Sequence, residues 1–186
     1  MHRKSVLGGS ALLPLLMMVG SAYGISASGT ISSRQISPTS YEYSLTLTNT
    51  GTTPIGTLWF GWFPAYDQLP SHPTSFASPS GWTAADAPDI FGVASAQWVT
   101  STNPLQPGQS LSGFVFDTPD SPTVMAGTGL LGLPVEESYV YIGAPETDPG
   151  FPFVPATVAA PEPTSLMLIA AAPMALLLRR KRSQSN

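Results

Sequence analysis

The sequence predicts an all-β protein, an antiparallel sandwich of about seven strands. Three observations lead there. Twenty prolines and seventeen glycines punctuate the 186 residues, and between residues 25 and 160 no apolar stretch of helical period survives among them. Tyr41, Tyr43, Leu45 and Leu47 alternate with Glu42, Ser44, Thr46 and Thr48, the period of two that buries one face of a strand and wets the other. The chain has no cysteine, so burial and sheet pairing alone must hold it, and it has no thiol for catalysis or zinc.

Taken in order, the chain opens on Arg3 and Lys4, a largely apolar run over residues 6–19, and Ala22-Tyr23-Gly24, small residues at the positions signal peptidase reads. Residues 1–24 are thus predicted to be a secretory signal peptide, with a cut after Ala22 as the alternative. Residues 25–144 form the predicted cargo domain, of a size that can bury a core. Strands are expected at 29–35 and 41–48, the second ending in Asn49-Thr50-Gly51. Residues 55–63 carry apolar groups on both faces and read as a central strand, with Gly56 and Gly61 marking a bulge or a close backbone approach. Residues 64–88 are too rich in proline for a central strand and read as a long connection. Further strands are expected at 91–100, 111–117, 123–133 and 138–142. Residues 145–160 read as a proline-rich stalk.

The last segment is different in kind. Pro161 and Pro163 bar a helix from running back into the domain. Residues 164–178 are predicted to be a membrane helix, capped by Thr164 or Ser165 and followed by Arg179, Arg180, Lys181 and Arg182. Its apolar part, residues 166–178, spans about 20 Å as a helix against a hydrocarbon core of roughly 30 Å, so it relies on snorkelling side chains to reach across. The basic cluster places that end in the cytoplasm.

Pro161-Glu162-Pro163, an apolar helix and an Arg-rich end, in that order at the C-terminus, resemble the PEP-CTERM sorting signal of Gram-negative bacteria. The resemblance covers residues 160–183 and is silent on the cargo. It implies recognition of Pro161, Glu162 and Pro163 by an exosortase, a membrane-embedded transpeptidase that cuts near the motif, and an exopolysaccharide setting. Within the cargo, a strand ending in Asn-x-Gly and the later turn Leu105-Gln106-Pro107-Gly108-Gln109-Ser110 into Phe114 and Phe116 resemble bacterial immunoglobulin-like sandwiches. The cysteine and tryptophan framework of true immunoglobulin domains is absent, and a jelly roll with the same strand count fits too.

Charge narrows the partners. Outside the two targeting ends the only base is Arg34, against ten acids, so the cargo repels phosphate backbones and nucleic acid is excluded as a partner. Catalytic parts are few. His72 is the cargo's only histidine, and a triad would have to take Ser71 or Ser75 and Asp86; a solvated loop histidine is the simpler reading. A glycosidase carboxylate pair could be drawn from the acids, but separation is not legible. Asp86-x-x-Asp89 and Asp117-x-x-Asp120 are carboxylate pairs on turns that suit calcium in type, yet turn aspartates more often cap backbone N–H groups, and neither a metal nor a cofactor is expected. Trp59, Trp62 and Trp82 are the candidate carbohydrate-binding residues, since exposed rings stack on sugars, while the plainer expectation for large aromatics, Trp82 included, is core burial.

The sequence thus predicts an exported, non-enzymatic structural or interaction protein. Its expected partners are signal peptidase, exosortase and the inner membrane, and its expected destination is the cell envelope, surface or exopolysaccharide matrix. A carbohydrate-binding module and a polysaccharide hydrolase are the alternatives.

Overall fold

In the computed structural model the described residues are 24–87, 93–129, 132–144 and 147–159. The expected sorting motif Pro161-Glu162-Pro163, the apolar run and the basic cluster after it, and residues 1–23 of the expected signal peptide lie outside them. The strands in chain order are β1 (Ala27–Ser37), β2 (Ser40–Asn49), β3 (Thr57–Phe60), β4 (Trp62–Phe63), β5 (Tyr66–Asp67), β6 (Ser75–Ala77), β7 (Thr83–Asp86), β8 (Ala96–Val99) and β9 (Ser110–Thr118). The short helix α1 (Pro122–Met125) follows, and then come β10 (Ser138–Tyr141), β11 (Gly150–Phe153) and β12 (Ala156–Thr157).

Two five-stranded sheets face each other, in the orders β12-β1-β2-β9-β6 and β11-β10-β3-β8-β7, and β4 pairs with β5 as a small separate hairpin. All neighbours are antiparallel except β12, which runs parallel to β1. The period of two in β2 does what it predicts: Tyr43, Leu45 and Leu47 are buried. Opposite them on β9 stand Phe116, Phe114 and Leu111. Gly113, at φ +96°, has no partner between Phe114 and Ser112, and this extra residue is the bulge that keeps both apolar rows facing inward.

The second sheet answers with Leu58, Phe60, Trp98 and Val140, all fully buried. Their rings interlock across the sandwich: Phe60 lies 5.3 Å from Phe116, and Trp98 lies 5.7 Å from Phe114. Trp98 Nε1 donates to the Ala77 carbonyl at 3.0 Å, so its one polar atom is satisfied on β6. Asn49 ties down one end of the sandwich. Its amide nitrogen donates to the carbonyls of Thr53 and Leu105, and its Oδ1 accepts from Gly51 N–H.

Several expectations need correction, and proline explains most of them. The connection over residues 64–88 contains β5, β6 and β7, and the stalk over 145–160 contains β11 and β12. Of these, β6, β7, β11 and β12 are sheet edges, where a proline such as Pro152 needs no outer partner for its missing N–H. The domain therefore continues well past residue 144. The strand expected at 123–133 is instead opened by α1, where Ser121 caps the N-terminus and Pro122 fits the first turn. At the other end Gly24 already belongs to the domain, because its carbonyl accepts Thr52 N–H at 2.6 Å.

Candidate functional site

The outer faces of the two sheets differ in chemistry. That of the first is a wet hydroxyl surface, with Ser28, Thr48 and Ser110 in one register row and Thr30, Thr46 and Ser112 in the next. That of the second carries Thr57 and Trp59 on β3, Tyr139 and Tyr141 on β10, and Gln97 and Val99 on β8, with no Asp, Glu, Lys or Arg among its paired positions. An antiparallel sheet normally turns a polar, charged face to water. This one turns rings.

Trp59 pairs with Tyr139, and Tyr141 is the next residue of β10 on that face. Trp62 packs against all three. Its ring centroid is 4.6 Å from Trp59, 5.7 Å from Tyr139 and 5.9 Å from Tyr141. Phe63 adds an edge contact to Tyr139 at 6.4 Å. Trp62 and Tyr141 are each 3% exposed and form the floor, while Trp59, Phe63 and Tyr139 are half-buried and present their rims to solvent.

Local conformation explains how Trp62 arrives there. A regular strand would return it to the core face beside Phe60, but Gly61 adopts φ +65° and breaks the alternation. A Cβ at Gly61 would meet the Leu69 side chain at 2.6 Å, so glycine is required there on both counts. The β4–β5 hairpin then turns through Pro64 and Ala65, and Ala65 holds φ +70°, which costs a non-glycine residue on the order of 1 kcal/mol. On the far side Gly150 pairs with Tyr141, and a Cβ there would lie 2.6 Å from Tyr141 Cε1 and 3.1 Å from Tyr139 Cδ1. The edge strand is thus cut away to let the tyrosine rings lie flat.

Electrostatics around the cluster favour neutrality. Burial, and then the nearby Glu137 carboxylate, push the Tyr139 hydroxyl above its ordinary pKa, so it stays a donor. Burial also raises the Glu137 carboxyl, whose backbone carbonyl accepts Trp62 N–H at 2.8 Å. Trp59 Nε1 is buried without a hydrogen-bond partner, a cost of about 1–3 kcal/mol that a phenylalanine at this position would not carry.

Of the three tryptophans singled out in the sequence, the structure brings Trp59 and Trp62 together and sets Trp82 apart. Trp82 is 5% exposed and packs edge-on against Phe114 at 5.1 Å inside the sandwich. Tyr139 and Tyr141 were missed, while Phe63, in the same aromatic run as Trp59 and Trp62, joins the cluster. Tyr139 and Tyr141 alternate across Val140, the spacing that puts two rings on one face, but nothing in the sequence says which face that is.

The other candidate residues form a different pattern. His72 Nδ1 and Asp86 Oδ2 are 2.8 Å apart, half of a triad. The serines, however, are committed elsewhere: Ser71 Oγ donates to Asp120 Oδ1 at 2.8 Å and Ser75 Oγ to Asp117 Oδ2 at 2.6 Å. These pairs clamp the loop before β6 to the end of β9. Asp117 and Asp120 therefore serve different neighbours rather than one ion, and Asp89 lies outside the described residues. No group of three or more metal-ligating side chains gathers among the described residues. A groove of about 280 Å³ beside Asn103, Gln109 and Leu111 holds no carboxylate, and a smaller cleft of about 40 Å³ holds Glu136 alone.

No protein-family model matches the chain, and no curated protein matches it. Among solved structures, the chitin-binding domain of Chi18aC from Streptomyces coelicolor is similar at 24% identity and a TM-score of 0.35, over 50% of this chain and 78% of that one. The GH20 exo-β-N-acetylglucosaminidase from Vibrio harveyi, in complex with N-acetylglucosamine, is similar at 9% identity and a TM-score of 0.40, over 71% of this chain but only 18% of the enzyme. An inactive mutant of that enzyme gives a TM-score of 0.41. At TM-scores this low, none of these likenesses fixes a fold or a function for this chain.

Proposed function

We propose that the protein is an exported, non-enzymatic module that binds polysaccharide on the aromatic outer face of its second sheet. The observation that carries this reading is the platform of Trp59, Phe63 and Tyr139, partly exposed beside the buried rings of Trp62 and Tyr141 on a face whose paired positions carry no charged side chain. One side of a pyranose ring is apolar and gains dispersion contact from such rings, while its hydroxyls find partners in Tyr139 and Gln97. With Arg34 as the domain's only base, the polymer that fits is uncharged rather than anionic. The commitment of Ser71 and Ser75 to aspartates supports a role without nucleophilic catalysis.

The strand order supports a finer reading of the fold as immunoglobulin-like. The run β1-β2-β9 takes the A-B-E order and β11-β10-β3-β8 the G-F-C-C′ order. The departures are β6 and β7, which occupy the D and C″ edges but come earlier in the chain than C′.

For localisation the support is the tail. Pro161, Glu162 and Pro163, the apolar run and the cluster Arg179, Arg180, Lys181 and Arg182 favour capture at the inner membrane and processing by an exosortase, after signal peptidase has acted at the N-terminus. The module then reaches the envelope, surface or exopolysaccharide matrix.

A second reading, a scaffold whose rings only close the sheet, is favoured by the near-complete burial of Trp62 and Tyr141. Chromatography on the host's exopolysaccharide separates the two. Retention that free soluble polysaccharide competes away supports the binding module, and elution in the void volume supports the scaffold.

A further inference from the structure

We infer that the end of the sandwich formed by the β1–β2 turn and α1 rests on a lipid surface while the C-terminal run holds the chain. This rests on the reading of that run as a membrane anchor. The direction of the last strand sets the geometry. β12 runs parallel to β1, with Ala156 beside Thr30 and Thr157 beside Ile31, and Val158 N–H donates to the Ile31 carbonyl at 2.8 Å. The chain at its last described residues therefore heads toward the end where β1 turns into β2. β9 finishes at that same end, with Thr118 opposite Tyr41. Just beyond it, α1 places Pro122 and Ala126 in one small cleft with Ile31 and Thr157.

Tether length then restricts orientation. Ala159 is seven residues from Leu166, where the apolar run begins, so the link spans about 25 Å at most. A domain of this size is roughly 35–40 Å across. The tether is shorter than the body it holds, which keeps the exit end toward the bilayer.

The surface at that end suits the contact. Five large hydrophobic residues are exposed among the described residues; Ile36 at 44% and Val124 at 41% belong to it, and Val158 at 43% lies beside the middle of β1 where the chain heads toward it. Ile36 sits in the bulge between Gln35 and Ser37, pushed out of the strand register. The one cation, Arg34, is already held by Glu42 through two hydrogen bonds of 2.8 Å and is not offered to anionic headgroups. The contact is therefore apolar and shallow, suited to zwitterionic lipid. Standing on this end, the module keeps both outer sheet faces lateral, so the aromatic platform stays open during anchoring.

The absence of cysteine makes the test direct. The exported, tail-bearing form is prepared with Val124→Cys, Val158→Cys or, at the opposite end, Ser101→Cys. Each is labelled with a polarity-sensitive fluorophore and reconstituted into phosphatidylcholine vesicles carrying brominated acyl chains. Quenching at 124 and 158 at least threefold stronger than at 101 is the expected result. Equal quenching at all three sites, with the protein floating with the vesicles, overturns the docked end while leaving the anchor intact. Failure to float at all overturns the anchor reading and the docking with it.

Discussion

Trp59 and Tyr139 stand directly opposite each other on antiparallel β3 and β10, and the ring of Trp62 packs against both at 4.6 and 5.7 Å. This arrangement is asymmetric: Trp62 is buried and the pair is half-open. The structural role and the proposed binding role therefore fall on different rings, which makes them separable by mutation.

Trp62→Ala should destabilise the domain by about 3–5 kcal/mol, because it leaves a cavity among three rings. Trp82→Ala should cost a similar amount through its contact with Phe114, without a specific effect on polysaccharide retention by the fraction that stays folded. Urea denaturation of both variants checks this, and a Trp82→Ala variant of wild-type stability would show that the core assignment is wrong.

The register of β2 gives a sharper contrast. Leu45 is buried opposite Phe114, and its truncation to alanine should cost about 2–5 kcal/mol, whereas Thr46→Ala on the hydroxyl face should stay within about 0.5 kcal/mol. Thermal or urea midpoints that moved equally would contradict the register.

Glycine substitutions probe the platform's foundations in opposite directions. Ala65→Gly removes left-handed strain at the β4–β5 tip but adds chain entropy to the unfolded state, so stability should rise by at most about 1 kcal/mol. Gly150→Ala drives a methyl group into Tyr141 and should lower both stability and binding. A Gly150→Ala variant with unchanged near-ultraviolet circular dichroism would mean that the rings do not need that space.

For the tail, replacing Pro161 and Glu162 by alanine should leave the exported precursor uncut. Immunoblots of membrane fractions read this directly, and maturation of the double variant at normal size would rule out recognition of the motif.

Much of the fold was legible because it rests on local chemistry. The alternation from Tyr41 to Thr48, the Asn49 turn and the glycine breaks are short-range signals, and the structure follows them. The edges were not legible. Proline argues against a central strand, yet β6 and β11 lie at sheet edges, and whether a segment ends at an edge depends on partners far away in sequence. The platform was half legible for the same reason. Trp59 and Trp62 were visible as candidates, but their grouping depends on the left-handed turn at Gly61 and on Tyr139 and Tyr141 arriving from nearly eighty residues away. Trp82 sits on a turn, which favours exposure, but core burial is the plainer expectation for it and Phe114 holds it inward.

The measurement that bears most directly on the platform is affinity electrophoresis of wild type and Trp59→Ala through gels containing the host's exopolysaccharide, paired with the melting temperature of each. The binding module predicts a wild type slowed in proportion to polysaccharide concentration, and a Trp59→Ala variant that migrates as if none were present while melting within a few degrees of wild type. A wild type that runs at the same speed with and without polysaccharide would contradict it.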